Sequence, residues 1–268
     1  MAQEGVLYEK KAYKALQKYK ISTGETAGAS HDKPDLTIVA NGKEPTGCEL
    51  KNSPTAAGSL VLKYINGKWT FGESDDDSPE KDFLQALGKK SNLLQRMTTQ
   101  WKGKVPMLQN DANGKKKLRA GSWSNIEDKR RAYQYDLKTF GATNEVHIDV
   151  GAKAVCDYYL TKKCSYINVG THGFFTLNGT DRLGLNAKLA KQQQKPIPDF
   201  GKNASCKIRV RVQLKSSSKQ DYQFVMTLQF SNVSKSPYNI APLVAGSKSD
   251  IDINKLSKDP IIRSFLYK

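Results

Sequence analysis

Residues 34–51 read PDLTIVANGKEPTGCELK: Asp35 follows a proline at the head of a β-branched run (DLTIVA), Asn41-Gly42 marks a turn, and a second run closes on Glu49-Leu50-Lys51. Runs of β-branched residues bounded by Gly, Pro and Asn read as strands, and Asn-Gly suits a turn whose backbone needs positive φ. Period-two alternation puts Glu49 and Lys51 on one face of their strand and Leu50 on the other. If Asp35 opens one strand while Glu49 and Lys51 lie on its neighbour, two carboxylates come within reach of one divalent cation, with an ammonium beside them. The blander alternative makes Asp35 a turn residue and the Glu49/Lys51 pair an exposed charge pattern.

Working outward, Gly5 to Lys20 carries Tyr8, Ala12, Ala15, Leu16 and Tyr19 at helical spacing with lysines opposite, so it predicts a helix with one buried side. Ser59 to Ile65 reads as a further strand, and Asn66-Gly67 turns the chain into KWTFGE, which suggests an antiparallel meander behind that helix. The acidic stretch 73–82 reads as a solvated loop, with Ser78-Pro79-Glu80 opening a helix through FLQALGKKSNLLQRMTTQW. Lysines and turn residues make 103–121 a candidate linker, and Ser124 with Glu127 three residues on is a capping box for a helix reaching Phe140. Beyond about residue 150 the pattern is short strands and turns: YINVG, GFFTLNG, then 206–215 and 222–230. The fold class expected is α/β (α+β), a mixed sheet flanked by helices with an added basic, β-rich region. Residues 1–110 would form the first part and 111–268 the second, unless the two run together as one fold.

The formal net charge of +17 calls for a polyanionic partner. That charge is uneven: residues 1–100 hold 14 basic and 13 acidic residues, residues 101–200 hold 17 and 9, and residues 201–268 hold 12 and 4. A balanced first third and a cationic remainder suggest that one part does chemistry while another grips. With 12 tyrosines and 9 phenylalanines the chain is built to fold, unlike a basic tail.

Four scattered cysteines (Cys48, Cys156, Cys164, Cys206) lack a C-x-x-C pair and fit reduced thiols in a reducing compartment. A zinc site from Cys156, Cys164, His172 and Cys206 is the weaker reading, because the spacing is irregular. The opening residues run straight into a charged amphipathic segment, so neither a leader nor a membrane partner is expected. His31, His147 and His172 lie far apart, which removes the parts of a histidine-based metal hydrolase, and neither a Walker loop nor a Gly-x-Ser-x-Gly elbow is present.

Carboxylates flanked by a lysine suit phosphodiester hydrolysis. Hard oxygen donors select Mg2+ or Mn2+ over zinc, and a lysine nearby can orient the attacking water. Pro34-Asp35, thirteen residues, then Glu49-Leu50-Lys51, behind a helix bearing Glu9, resembles the core motif of the PD-(D/E)xK nuclease superfamily, to which many type II restriction endonucleases belong. The likeness covers roughly residues 4–70, about a quarter of the chain. It implies a restriction-endonuclease-like core in which Asp35 and Glu49 bind the metal, Lys51 assists the nucleophile and Glu9 completes the site. It also implies cleavage of double-stranded DNA to 5′-phosphate and 3′-hydroxyl ends, in a DNA-containing compartment such as the cytoplasm of a bacterial or virus-infected cell. Cutting both strands calls for two sites, hence an expected homodimer.

The grip is expected in the second half. In CKIRVRVQLK, Lys207, Arg209, Arg211, Gln213 and Lys215 alternate with Ile208, Val210, Val212 and Leu214. The apolar set packs, and the cationic set can track phosphates or read bases in the major groove. The run Lys115 to Arg119 reads as a flexible phosphate clamp. Either basic segment can instead be a solvated face. Three function classes remain: a sequence-specific nuclease of restriction or homing type, a structure-selective repair or recombination nuclease, and a non-catalytic nucleic-acid-binding protein on a nuclease scaffold.

Overall fold

A computed structural model describes residues 2–18, 20–23, 33–52, 56–72, 78–186 and 195–238. These residues form a mixed α/β fold, with two sheets of mixed strand direction flanked by helices. The first sheet contains β1 (Ser22–Thr23), β2 (Leu36–Ile38), β3 (Thr46–Lys51), β9 (Cys164–Val169) and β10 (Gly173–Thr176), in the order β1-β2-β3-β9-β10. β2 and β3 are antiparallel, with Leu36 opposite Cys48, whereas β3 and β9 run parallel. Helix α1 (Ala2–Lys18) lays Tyr8, Ala12, Ala15 and Leu16 on one face of this sheet, against Leu36, Ile38, Cys48, Leu50, Tyr166 and Phe174. The spacing of that apolar stripe is what the sequence predicted for an amphipathic helix.

The second sheet runs β7-β6-β4-β12-β11-β8: β4 is Ala56–Ile65, β6 Leu108–Asn110, β7 Lys116–Leu118, β8 Val146–Asp149, β11 Ala204–Ser216 and β12 Asp221–Val233. β5 (Lys68–Phe71) pairs with β4 through a two-residue turn whose central residues, Asn66 (φ 49°) and Gly67 (φ 81°), both need the left-handed region that Asn and Gly tolerate. Helices α2 (Pro79–Lys90), α3 (Leu93–Gln100), α4 (Ile126–Phe140) and α5 (Lys153–Thr161) share one large core with this sheet. Its inner face supplies Leu60, Leu62, Ile208, Val210, Phe224 and Met226, and the first sheet adds Ile167, Val169 and Phe175. A short helix α6 (Phe200–Asn203) stacks Phe200 on Phe175 and Phe230. Among the described residues no helix is long and apolar enough to cross a membrane.

Several sequence expectations change. The meander stops after two strands: β4 leaves for the second sheet, and β3 takes β9 as its second neighbour, which buries Thr46 through Leu50 almost completely. Each sheet takes strands from both sides of residue 110, so the sheets do not divide there. The linker at 103–121 contains the hairpin β6/β7, anchored by Leu108 opposite Leu118, both buried; the Lys115 to Arg119 run is therefore largely an ordered strand. Lys116 on it donates to Asp221 at 2.5 Å and to the Tyr222 carbonyl. Helix α5 falls where strands and turns were expected: it buries Ala154, Val155, Cys156, Tyr158 and Tyr159, and its exposed side includes Leu160, so the stripe is blurred in the sequence. The single helix expected after Ser78 is two, broken at Asn92 (φ 53°), and α4 is capped by Asn125, which accepts from the Glu127 N–H. Of the acidic stretch, 73–77 lie outside the described residues, as do His31 and the Gln192–Gln194 run.

Candidate active site

Asp35 lies one residue before the Leu36–Cys48 pair, which sets it alongside Glu49. Its Oδ2 accepts the backbone N–H of Leu50 at 2.8 Å, so the acid is pinned to the neighbouring strand. Glu49 and Lys51 share a face, as expected, and Leu50 points into the α1 core. Glu49 is 1% exposed and its Oε1 sits 2.6 Å from the Lys51 ammonium, which is 21% exposed and 5.5 Å from the Tyr159 ring. The other oxygen, Oε2, is buried without a hydrogen-bond partner among the described residues. Glu9, on α1, also has a buried oxygen without one.

Two residues join that no motif signalled. Lys162, at the end of α5, places its ammonium 3.7 Å from Glu49 Oε2 and 2.6 Å from Glu80 Oε1 at the start of α2. The rings of Tyr158 and Tyr159 stand 5.8 Å from that nitrogen. Lys163, at φ 59°, then turns the chain into β9, and its carbonyl accepts from the Gly47 N–H. Gly58 on β4 is required here, since a Cβ would lie 2.7 Å from the Tyr158 hydroxyl.

Electrostatics follow from this crowding. Burial, then the Glu49 charge, pushes Asp35 up to about 7, against the opposing pull of Lys51 and the Leu50 N–H. Burial also raises Glu9, with Lys51 lowering it and Glu49 raising it. For Lys51, burial works to lower the pKa, but Glu49 and Asp35 overcome it and hold it above the usual lysine value. Lys51 is therefore an ammonium at neutral pH, suited to orienting water or phosphate rather than accepting a proton.

With all four carboxylates (Glu9, Asp35, Glu49, Glu80) ionised, they face two ammonium groups (Lys51, Lys162), a deficit of two positive charges. One divalent cation would cancel it, and carboxylate oxygens are the donors Mg2+ and Mn2+ prefer. Among the described residues no three His, Cys, Asp or Glu side chains converge to cage a metal by themselves. The fit is thus to an ion held by Asp35 and Glu49 and completed by water or substrate oxygens, as Mg2+ commonly is. The same finding removes the zinc reading: Cys156, Cys164 and Cys206 are buried free thiols, and burial pushes Cys156 and Cys206 up to about 12.

The basic strand β11 alternates as expected, with Ile208, Val210 and Val212 buried inside. Lys207, Arg209, Arg211 and Gln213, all half-buried, share the other face with Gln229, Thr227, Val225 and Gln223 of β12, their register partners, of which Thr227 and Val225 are buried. Not all of these cations are free: Arg209 makes a bidentate pair with Glu145 at 2.5 and 2.8 Å, and Lys207 stands opposite Asp149. Lys215 belongs to the same strand end as the Lys116–Asp221 pair. No protein-family model, curated protein or solved structure matches the chain.

Proposed function

We propose that the chain is a metal-dependent endonuclease that hydrolyses phosphodiester bonds in double-stranded DNA, with Asp35, Glu49 and Lys51 as its working residues. The observation that carries this reading is the convergence of a half-buried and a buried carboxylate, Asp35 and Glu49, with one Glu49 oxygen unpartnered among the described residues, on an ammonium at the end of β3. In further support, β3 runs antiparallel to β2 and parallel to β9 directly behind α5, with α1 on the opposite face. A mixed sheet of that kind flanked by helices is what a restriction-endonuclease-like core requires.

A divalent cation bound by Asp35 and Glu49 would supply Lewis-acid stabilisation of the charge on the phosphate. Lys51 donates a hydrogen bond to the attacking water or a phosphate oxygen and holds it in line. Water oxygen bonds to phosphorus, the bond from phosphorus to O3′ breaks, and one proton from the water passes to solvent while the leaving oxygen takes one. Glu9 adds negative charge at the rim. The outer face of β11, with Arg211, Gln213 and Lys215, offers the duplex backbone a cationic surface. A homodimer would cut both strands.

The test is incubation of purified protein with supercoiled plasmid and long linear DNA, in Mg2+, Mn2+ or chelator, alongside Asp35→Ala and Lys51→Ala. Discrete, metal-dependent fragments lost in both variants are expected, with rates falling by about 10²-fold or more. The closed Glu49–Lys51 pair favours a second reading, a non-catalytic DNA-binding scaffold. Tight binding without cleavage of duplex, branched or RNA substrates in either metal would select it.

A further inference from the structure

Lys162 explains an asymmetry in the acid cluster. Each oxygen of Glu49 faces a different ammonium: Oε1 meets Lys51 at 2.6 Å, and Oε2 meets Lys162 at 3.7 Å. The second nitrogen is also 2.6 Å from Glu80 Oε1, so it bridges two carboxylates that arrive from a strand, β3, and a helix, α2. Centres that use two metal ions hold them about 3.5–4 Å apart between shared carboxylates. Here the space between Glu49 and Glu80 contains a lysine nitrogen, walled by Tyr158 and Tyr159 and only 9% exposed.

We propose that the Lys162 ammonium is a built-in cation occupying the position between Glu49 and Glu80 where a second metal would otherwise sit, so that the centre takes a single divalent ion. The inference rests on the reading of Asp35 and Glu49 as a divalent-cation centre. Charge supports it: with both lysines in place the four acids lack only two positive charges, and without Lys162 they lack three. As a positioning residue, Lys162 also steadies Glu49 from the side away from Lys51, leaving the more exposed Lys51 free to turn toward substrate.

The experiment is calorimetric titration of Mn2+ into the full chain without DNA, for wild type, Lys162→Arg, Lys162→Ala and Lys162→Ala/Glu80→Gln. Wild type and Lys162→Arg are expected to bind one ion per chain, Lys162→Ala two, and the double variant one again. Two ions in wild type, or one in Lys162→Ala, overturns the proposal while leaving the metal centre standing. No ion in wild type overturns the centre itself, and the proposal with it. Melting temperature gives an independent arm: Lys162→Ala should melt well below wild type in chelator and recover most of that loss in saturating Mn2+. If it does not fold in chelator, refolding in Mn2+ should restore it. A deficit of equal size in both conditions, or no recovery, overturns the proposal.

Discussion

Two buried acid clusters in this chain behave in opposite ways. Asp136, on α4, is fully buried and accepts from the Met107 N–H at 2.8 Å, the Leu108 N–H at 2.9 Å and the Tyr222 hydroxyl at 2.8 Å. Around Glu49, by contrast, four carboxylates crowd two lysines, and buried oxygens of Glu9 and Glu49 have no hydrogen-bond partner. Burial lifts one acid in each, Asp136 to about 6 and Asp35 to about 7. The raised value therefore does not distinguish a working site from a structural knot. Unmet charge and unmet oxygens do: the knot is complete as it stands, whereas the Glu49 cluster is left short of positive charge.

The comparison is broken most forcefully by Asp136→Ala, which would strand two backbone N–H groups and a tyrosine hydroxyl in the core and loosen the β6 hairpin from α4. A loss of roughly 3 kcal/mol or more is expected from urea unfolding. An effect near zero would mean the knot is not structural.

The opposite sign is expected for Asp35→Asn, whose amide oxygen can still accept the Leu50 N–H. A carboxyl raised on folding contributes stability in full below its unfolded value, near 3.8, and loses it as pH climbs through about 7. Asparagine does not suffer that loss. In chelator at alkaline pH the variant should be more stable than wild type by about 2 kcal/mol, the gap closing as pH falls toward the unfolded carboxyl value. Saturating Mg2+ should narrow it again, because only wild type retains both ligands. A variant less stable than wild type at every pH would place Asp35 with Asp136 among the structural acids.

Much of the Glu49 cluster was legible in the chain itself. Asp35, Glu49 and Lys51 could be placed because strand alternation and an Asn-Gly turn act over a few residues. Lys162 and Glu80 could not, since they reach Glu49 only through the parallel pairing of β9 with β3 and through α2, contacts set by tertiary packing. Helix α5 was hidden by its length of nine residues and by Leu160, an apolar residue on its exposed side that blurs the stripe of Lys153, Asp157 and Thr161, and the β6/β7 hairpin by its lysines, which suit an edge strand as well as a loop. The β11/β12 hairpin was clear because each strand is long and strictly alternating on its first member. What alternation could not reveal is that Glu145, just before β8, already holds Arg209.

That pairing sharpens the smallest effect, on DNA binding. Arg209 offers its Nε and Nη2 donors to Glu145, which is 8% exposed, while Arg211 on the same face makes no such pair among the described residues. If the outer face of the second sheet meets the duplex, Arg211→Ala should lower the slope of log affinity against log salt by about one, the signature of one lost phosphate contact. Arg209→Ala should leave that slope nearly unchanged and instead lower the melting temperature, because it abandons a nearly buried glutamate. Equal slopes for wild type and both variants would move the duplex off this face. A slope loss confined to Arg209 would mean that Glu145 yields its arginine to the phosphate on binding, making the pair a latch rather than a brace.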